Sequence, residues 1–390
     1  MTRFQSSVHA ARLGFARWSG ALLLAVFAGA GCAPYGALPD RGPQAPTVTL
    51  PITRAGITDA RQPFAALFEH ELQASGRAGD SLRPVNEWLH GVSPGSAARA
   101  DSFQAVDAAL AVRASSTSVL VIPGLYGDCV EAQSVPFGDG VMRSPVRSRT
   151  EAYRQYDDLA LAGVRSIALP GRASSAANGR RVAEAIREEA MRPGVRRIVL
   201  VAYSKGVPDV LHALDEMQAA GGVPPALAAL VSVAGVVMGT PMADHFEVLF
   251  NTLSPAIQTL DCTPSDGQEM TSVTRHERVS WLSAHPLPQG LRYYSIISHA
   301  ARDDIAWPLR PLYDTMSVVD LRNDGQLFAS DTVLPGSVLL AEARADHWDV
   351  ALPRDRHPNA VVRSMSSGRA YPREALFRAT IKWIVHAAKD

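Results

Sequence analysis

"VLVAYSKG", residues 199–206, is an apolar run that ends on a serine set among small residues, followed by a lysine and a glycine. Unbroken apolar and β-branched residues of this length read as a buried strand. "PDVLHALDEM" (208–217), which follows, places its apolar residues at helical spacing. A serine between two such elements sits on a sharp strand-to-helix turn. The turn lifts its Oγ clear of the sheet at the carboxyl ends of the strands, where ligands bind. Crowding there demands tiny residues two before and two after the serine. Gly206 meets that demand, and Ala202 meets it with one methyl more than the glycine of a G-x-S-x-G motif. Ser204 is therefore a candidate nucleophile.

Working outward, short β-branched runs alternate with helix-like segments. "SVLVIPG" (118–124) and "VRSIALPG" (164–171) come before the serine, with "RRVAEAIREEA" (180–190) between the second and the serine strand. "LAALVSVAGVVMG" (227–239), "LRYYSIIS" (291–298), "SVLLAEA" (337–343) and a closing "ALFRATIKWIVHAA" (375–388) come after it. Continuous apolar strands separated by amphipathic helices predict an α/β chain with a mostly parallel sheet covered on both faces by helices. From Pro51 to Arg113 the pattern is helical, with Phe64, Leu67, Phe68 and Leu72 on one face and Pro63 in the first turn. An N-terminal helical extension over 51–113 and a main domain over 114–390 follow. An insertion at about 245–290 is too long for a plain connection. Phe246, Leu249, Phe250, Leu253, Ile257 and Leu260 recur in it at helical spacing, as expected of a cap helix that is either docked on the core or mobile over a pocket.

Composition removes some classes. The 390 residues are 47% hydrophobic and carry 38 basic and 38 acidic side chains, so no basic excess is available for nucleic acid. Residues 1–31 read as an export signal, with Arg3, Arg12 and Arg17 before the apolar "GALLLAVFAGA" and "GAGC" ending at Cys32. The ending is similar to a bacterial lipoprotein signal, which implies lipidation of Cys32 and an outer-membrane anchor. Ordinary cleavage, releasing a secreted or periplasmic protein, is the alternative. The Pro-rich stretch 32–50 suits an extended tether. Removal of residues 1–31 takes away three arginines and no acid, and moves the net charge from 0 to −3. The uncharged stretch 218–243 is broken by prolines. Its longest clean run, Ala226–Met238, is short of the roughly 20 residues of a membrane span.

A serine nucleophile needs a base within reach, and the base needs a carboxylate to hold its tautomer. Only late histidines suit the chain order serine, acid, histidine. His212 lies on the helix after the serine, His245, His276 and His285 lie in or beside the insertion, and His386 lies on the terminal helix. His347 follows the strand "SVLLAEA" in the loop "RADHWD", from which a base can reach over the sheet end. His357 in "RDRHPN" is the weaker rival.

Four segments occur in order: "AYSKG" at 202–206, "GTPMAD" at 239–244, "RNDGQL" at 322–327 and "DHWD" at 346–349. In this the chain resembles the bacterial true lipases and their relatives among the α/β-hydrolases. The resemblance implies an α/β-hydrolase fold, an ester or lipid substrate, no cofactor, and a triad of Ser204 as nucleophile, Asp324 as acid and His347 as base. Asp303, Asp304, Asp320 and Asp346 are the competing acids, and Asp324 is preferred because "NDG" makes a tight turn. The oxyanion donors are expected at the backbone N–H groups of Lys205 and Leu125, where "PG" at 123–124 stands in place of the family's His-Gly. Lys205 as the base itself is disfavoured, since adjacent side chains on a tight turn project apart. Asp349 resembles a calcium ligand of some such lipases, with Asp304 as a candidate partner. With Cys32 lipidated, Cys129 and Cys262 form an even pair expected to make a disulfide. The resulting expectation is an exported serine ester hydrolase. An acyltransferase using the same triad and a non-catalytic envelope binding protein of the same fold are the alternatives.

Overall fold

The computed structural model describes residues 56–74, 83–94, 100–128, 135–140, 150–245, 263 and 266–388. Seven strands form one sheet: β1 (Thr58–Asp59), β2 (Thr117–Ile122), β3 (Gly163–Ser166), β4 (Arg197–Tyr203), β5 (Leu227–Val233), β6 (Arg292–Ser298) and β7 (Val338–Ala343). Their spatial order is β1-β7-β6-β5-β4-β2-β3, and every pairing is parallel. All carboxyl ends of the strands therefore lie at one edge of the molecule, and the β2/β4/β5 centre of the sheet supplies the loops that meet there.

Helices cover both faces: α1 (Arg61–Ala74), α2 (Ala100–Arg113), α3 (Ser175–Met191), α4 (Gly206–Ala219), α5 (Arg275–Ala284), α6 (Arg310–Ser317), α7 (Ala360–Ser364) and α8 (Arg373–Ala387). Side chains alternate across a strand, and β4 divides its apolar residues accordingly. Val199, Val201 and Tyr203 enter the core that includes Phe64, Phe68, Leu376 and Phe377 of α1 and α8. Leu200 and Ala202 enter the opposite core, with Val182 and Ile186 of α3 and Val207, Val210 and Leu214 of α4. That two-sided burial is why the strand reads as a continuous apolar run. Full burial of each large apolar side chain contributes about 1.5–3 kcal/mol.

The N-terminal segment is helical at α1 and α2 and also supplies β1, which pairs with β7 at the sheet edge. Phe64, Leu67, Phe68 and Leu72 are all buried. The apolar face of α1 therefore belongs to the main core. In the inserted region, α5 is capped by Thr274, whose Oγ1 accepts from Glu277 N at 3.2 Å, as the T-x-x-E order of these residues favours. The expected cap-helix residues between 246 and 262 lie outside the described residues. So do the export signal, the tether and Cys32, Cys129 and Cys262.

Candidate active site

β4 ends at Tyr203 and α4 begins at Gly206, so the turn between them is two residues long. Ser204 sits in the left-handed region at φ 54°, a conformation costly for a residue with a Cβ and maintained only where the surroundings over-determine it. The surroundings are visible. Ser204 N–H donates to Val233 O at 3.1 Å, and Val236 N–H donates to Ser204 O at 3.1 Å. A Cβ on Gly206 would lie 2.7 Å from the carbonyl oxygens of both Ile122 and Pro123. Ala202, by contrast, is fully buried in the core between β4 and α4, in the cluster that holds Val207 and Val210.

The "NDG" turn at 323–325 builds a cradle for a carboxylate. Gly325 adopts φ +87°, and its N–H donates to Asn323 Oδ1 at 3.1 Å. Asp324 Oδ1 accepts from the N–H groups of Gln326 at 2.9 Å and Leu327 at 2.7 Å, while Oδ2 accepts from Ser298 Oγ at 2.9 Å. The "GTPMAD" segment braces the same turn, since Thr240 Oγ1 donates to Gln326 O at 2.5 Å.

His347 joins the two. Its Nδ1 lies 2.9 Å from Asp324 Oδ2, and its Nε2 lies 2.9 Å from Ser204 Oγ. With Nδ1–H donating to the carboxylate, Nε2 carries the lone pair and can accept a hydrogen bond from Ser204 Oγ. The ring is held from behind by two backbone contacts, His347 N–H to Asp324 O at 2.9 Å and Tyr203 Oη–H to His347 O at 2.8 Å. Asp346, fully buried, fixes the loop by accepting from the N–H groups of Trp348, Asp349 and Ala306. Burial, reinforced by the neighbouring Asp349, holds the Asp346 carboxyl well above its ordinary range.

Above Ser204 lies the loop after β2. A Cβ on Gly124 would be 2.9 Å from Ser204 Cβ, so glycine there lets the loop backbone rest on the serine. Tyr126 takes φ 61°, and its N–H donates to Gly171 O at 2.9 Å. Among the described residues the N–H groups of Leu125 and Lys205 have no acceptor. Both remain available to an anion at the serine. Leu125 is half-buried against Val236, Ala243, Met270, Val273 and Leu327, an apolar cluster that also includes Met242.

The remaining candidates are elsewhere. His212 packs on Trp281 with ring centroids 4.6 Å apart, and burial lowers it to about 3. His285 stacks on the same Trp281. His357 accepts from Asn359 N–H through Nδ1 and is 2% exposed. Asp320 pairs with Arg322, and Asp304 pairs with Arg369. Asp349 accepts from Ser367. No cluster of three or more metal-ligating side chains occurs among the described residues. Lys205 is turned away from the serine into a buried ion pair with Asp209, Nζ to Oδ1 at 2.7 Å. Tyr203 and Ser298 belong to the hydrogen-bonded assembly without having been singled out in the sequence. Tyr203 stands inside the elbow motif, where its ring reads only as strand core.

No family model and no curated protein matches the chain. Among solved structures, a metagenomic carboxyl esterase superposes with a TM-score of 0.68 at 29% identity, over 87% of this chain and 96% of that one. A lipase of Bacillus licheniformis in its mature form aligns at 18% identity and a TM-score of 0.44, over 60% of this chain and 85% of its own. Lipase 1 of Pelosinus fermentans aligns at 11% identity and a TM-score of 0.47, over 71% and 100%. With its all-parallel sheet, its strand-to-helix turn and its likeness to that carboxyl esterase, the chain has the α/β-hydrolase fold and resembles the carboxyl esterases of that superfamily.

Proposed function

We propose that the chain is an exported serine ester hydrolase in which Ser204, His347 and Asp324 form the catalytic triad. The observation that carries this reading is the unbroken chain Asp324 Oδ2, His347 Nδ1, His347 Nε2, Ser204 Oγ, with both links at 2.9 Å. The likeness to a carboxyl esterase at 29% identity supports an ester as substrate.

In this reading Ser204 Oγ attacks the ester carbonyl while His347 Nε2 takes its proton. The carbonyl oxygen becomes an anion that accepts from Leu125 N–H and Lys205 N–H, two donors already fixed before substrate arrives. Collapse expels the alcohol, protonated by His347, and leaves an acyl group on Ser204. Water, deprotonated by His347, releases the acid and restores the serine. Asp324, saturated by its own donors, keeps Nδ1 protonated and the ring aimed at Ser204 throughout.

A fluorophosphonate probe tests the reading directly. Wild-type protein is expected to label once, and Ser204→Ala not at all. Absence of labelling in the wild type, or equal labelling of the variant, rejects it.

Export and anchoring at Cys32 are part of the same proposal and rest on residues 1–32. Metabolic incorporation of a fatty-acid analogue, lost in Cys32→Ala, is the expected result. Pairing of Cys129 with Cys262 is supported by their sequence neighbours, since Asp128 Oδ2 accepts from Thr263 N–H at 3.0 Å. Peptide mapping without reductant is expected to recover the two cysteines in one linked fragment.

A further inference from the structure

The two oxyanion donors come from different loops, and an anion is stabilised by both only if their separation is fixed in advance. A path of polar contacts, buried from Lys205 as far as Gly171, runs between those loops. Lys205, whose N–H is one donor, places Nζ 2.7 Å from Asp209 Oδ1, and both side chains are 2% exposed. Asp209 Oδ2 accepts from Asn178 Nδ2 at 2.8 Å, and the same amide donates to Pro170 O at 3.1 Å. The next residue, Gly171, accepts from Tyr126 N–H at 2.9 Å through its carbonyl and donates to Asp128 Oδ1 at 2.6 Å through its N–H. Tyr126 directly follows Leu125, whose N–H is the other donor. The last step of the path is rigid as well as bonded, because a Cβ on Gly171 would lie 2.4 Å from Gly127 N.

Buried ion pairs are poor devices for stability, because desolvation of the two charges cancels most of their attraction. Burial nevertheless makes each bond stiff and strong once formed, since no water competes for it. An ion pair at this place is therefore better explained by what it holds than by what it contributes to folding. We propose that the Lys205 side chain, Asp209 and Asn178 are positioning residues that set the spacing of the Leu125 and Lys205 N–H donors. The inference rests on the ester-hydrolase reading, and it assigns the lysine a use beyond its backbone.

Two variants test it: Asn178→Ala, which cuts the path between α3 and α4, and the double variant Lys205→Met/Asp209→Leu, which removes both charges at similar volume. Steady-state hydrolysis of a soluble p-nitrophenyl ester, inhibition by an alkyl trifluoromethyl ketone that forms a tetrahedral oxyanion on the serine, and the thermal midpoint are measured together. In both variants kcat is expected to fall by about 10- to 100-fold with KM changed less than about threefold. Ketone affinity is expected to fall in step with kcat, and the double variant to melt no lower than the wild type. A folded double variant with kcat within about twofold of the wild type overturns the inference, as does a loss of kcat without a loss of ketone affinity. A double variant that fails to fold overturns it too, because the pair then holds the fold rather than the donors. A wild type that neither hydrolyses esters nor labels with fluorophosphonate is a separate result, and rejects the hydrolase reading instead.

Discussion

Gly124 lies against Ser204 so closely that a β-carbon at residue 124 would come within 2.9 Å of the serine's own. Ser204 and the loop that roofs it are thus in van der Waals contact, with no side chain of the loop between them. Much of the site's chemistry depends on such close approaches, and they give specific expectations.

Gly206 is a tight position under the elbow, facing two carbonyl oxygens that belong to the end of β2 and the loop after it. Gly206→Ala is expected to lower stability by about 2–4 kcal/mol and to abolish turnover, because the backbone must shift at the serine itself. Urea unfolding and fluorophosphonate labelling read the two effects. Unchanged labelling with unchanged stability would contradict the geometry.

Asp324→Asn keeps the shape of the carboxylate and replaces an acceptor-only group with an amide. The amide can present its NH2 to His347 Nδ1 and so favour the wrong tautomer, with Nε2 protonated and unable to accept from Ser204. A fall in kcat on the order of 10³- to 10⁴-fold is expected at neutral pH with KM little changed. Retention of a tenth or more of the activity would point to another acid.

Tyr203→Phe removes the hydroxyl that donates to the His347 carbonyl and leaves the buried ring in place. The imidazole loses one of its two rear supports. Roughly a 3- to 10-fold fall in kcat and about 1 kcal/mol of stability are expected. The pH dependence of kcat/KM distinguishes a displaced histidine from general softening, since only the former moves its acidic limb.

Arg278 is wholly buried, its guanidinium 5.0 Å from the centre of the Trp281 ring, and among the described residues none of its three side-chain nitrogens has an acceptor. Burial lowers it to about 10, although the carboxylates of Glu277 and Asp209 oppose that. Arg278→Met, of similar length, is expected to raise stability by about 1–3 kcal/mol, because it removes a desolvated charge whose attraction to the ring and carboxylates does not repay the burial. Calorimetry in a single buffer measures it; a lower midpoint would show that those attractions outweigh the desolvation.

His90 stacks on His299 with ring centroids 3.8 Å apart, and burial, with the adjacent His299, lowers it to about 4 from an ordinary 6.5. A histidine kept neutral by folding binds fewer protons in the native state than in the unfolded one across that interval. Stability therefore falls as pH drops from about 6.5 to about 4. His90→Gln is expected to flatten the loss by about 1–2 kcal/mol, allowing for the ring's partial exposure. Identical slopes for the two proteins would remove His90 as the source.

The parts of this architecture that are local in sequence are the parts that can be read there. "VLVAYSKG" specifies a strand, a cramped turn and a helix within a few residues, and "NDG" specifies an Asx-type turn within three. The order of the short motifs points, through a family resemblance, to three side chains, and the fold brings these into one hydrogen-bonded chain. Contacts made at long range were not legible. Tyr203 reads as a core aromatic until the His347 carbonyl arrives from 144 positions away, and Ser298 reads as the polar end of a strand. The surroundings of Lys205 are of the same kind, because nothing near it in sequence shows that Asn178 comes to donate to its partner Asp209. β1 escaped notice for a different reason: two residues are too few to show any periodicity.

That short strand and the helix behind it have a consequence for the order in which the chain is completed. α1 packs against α8, the last helix, and β1 pairs with β7, so the first described elements need partners from the end of the chain. During synthesis, Phe64, Phe68 and Leu72 remain without their cover until α8 has emerged. Loss of the final turns of the chain is thus expected to unseat its beginning, leaving both ends open to proteolysis while the central strands keep their own helices.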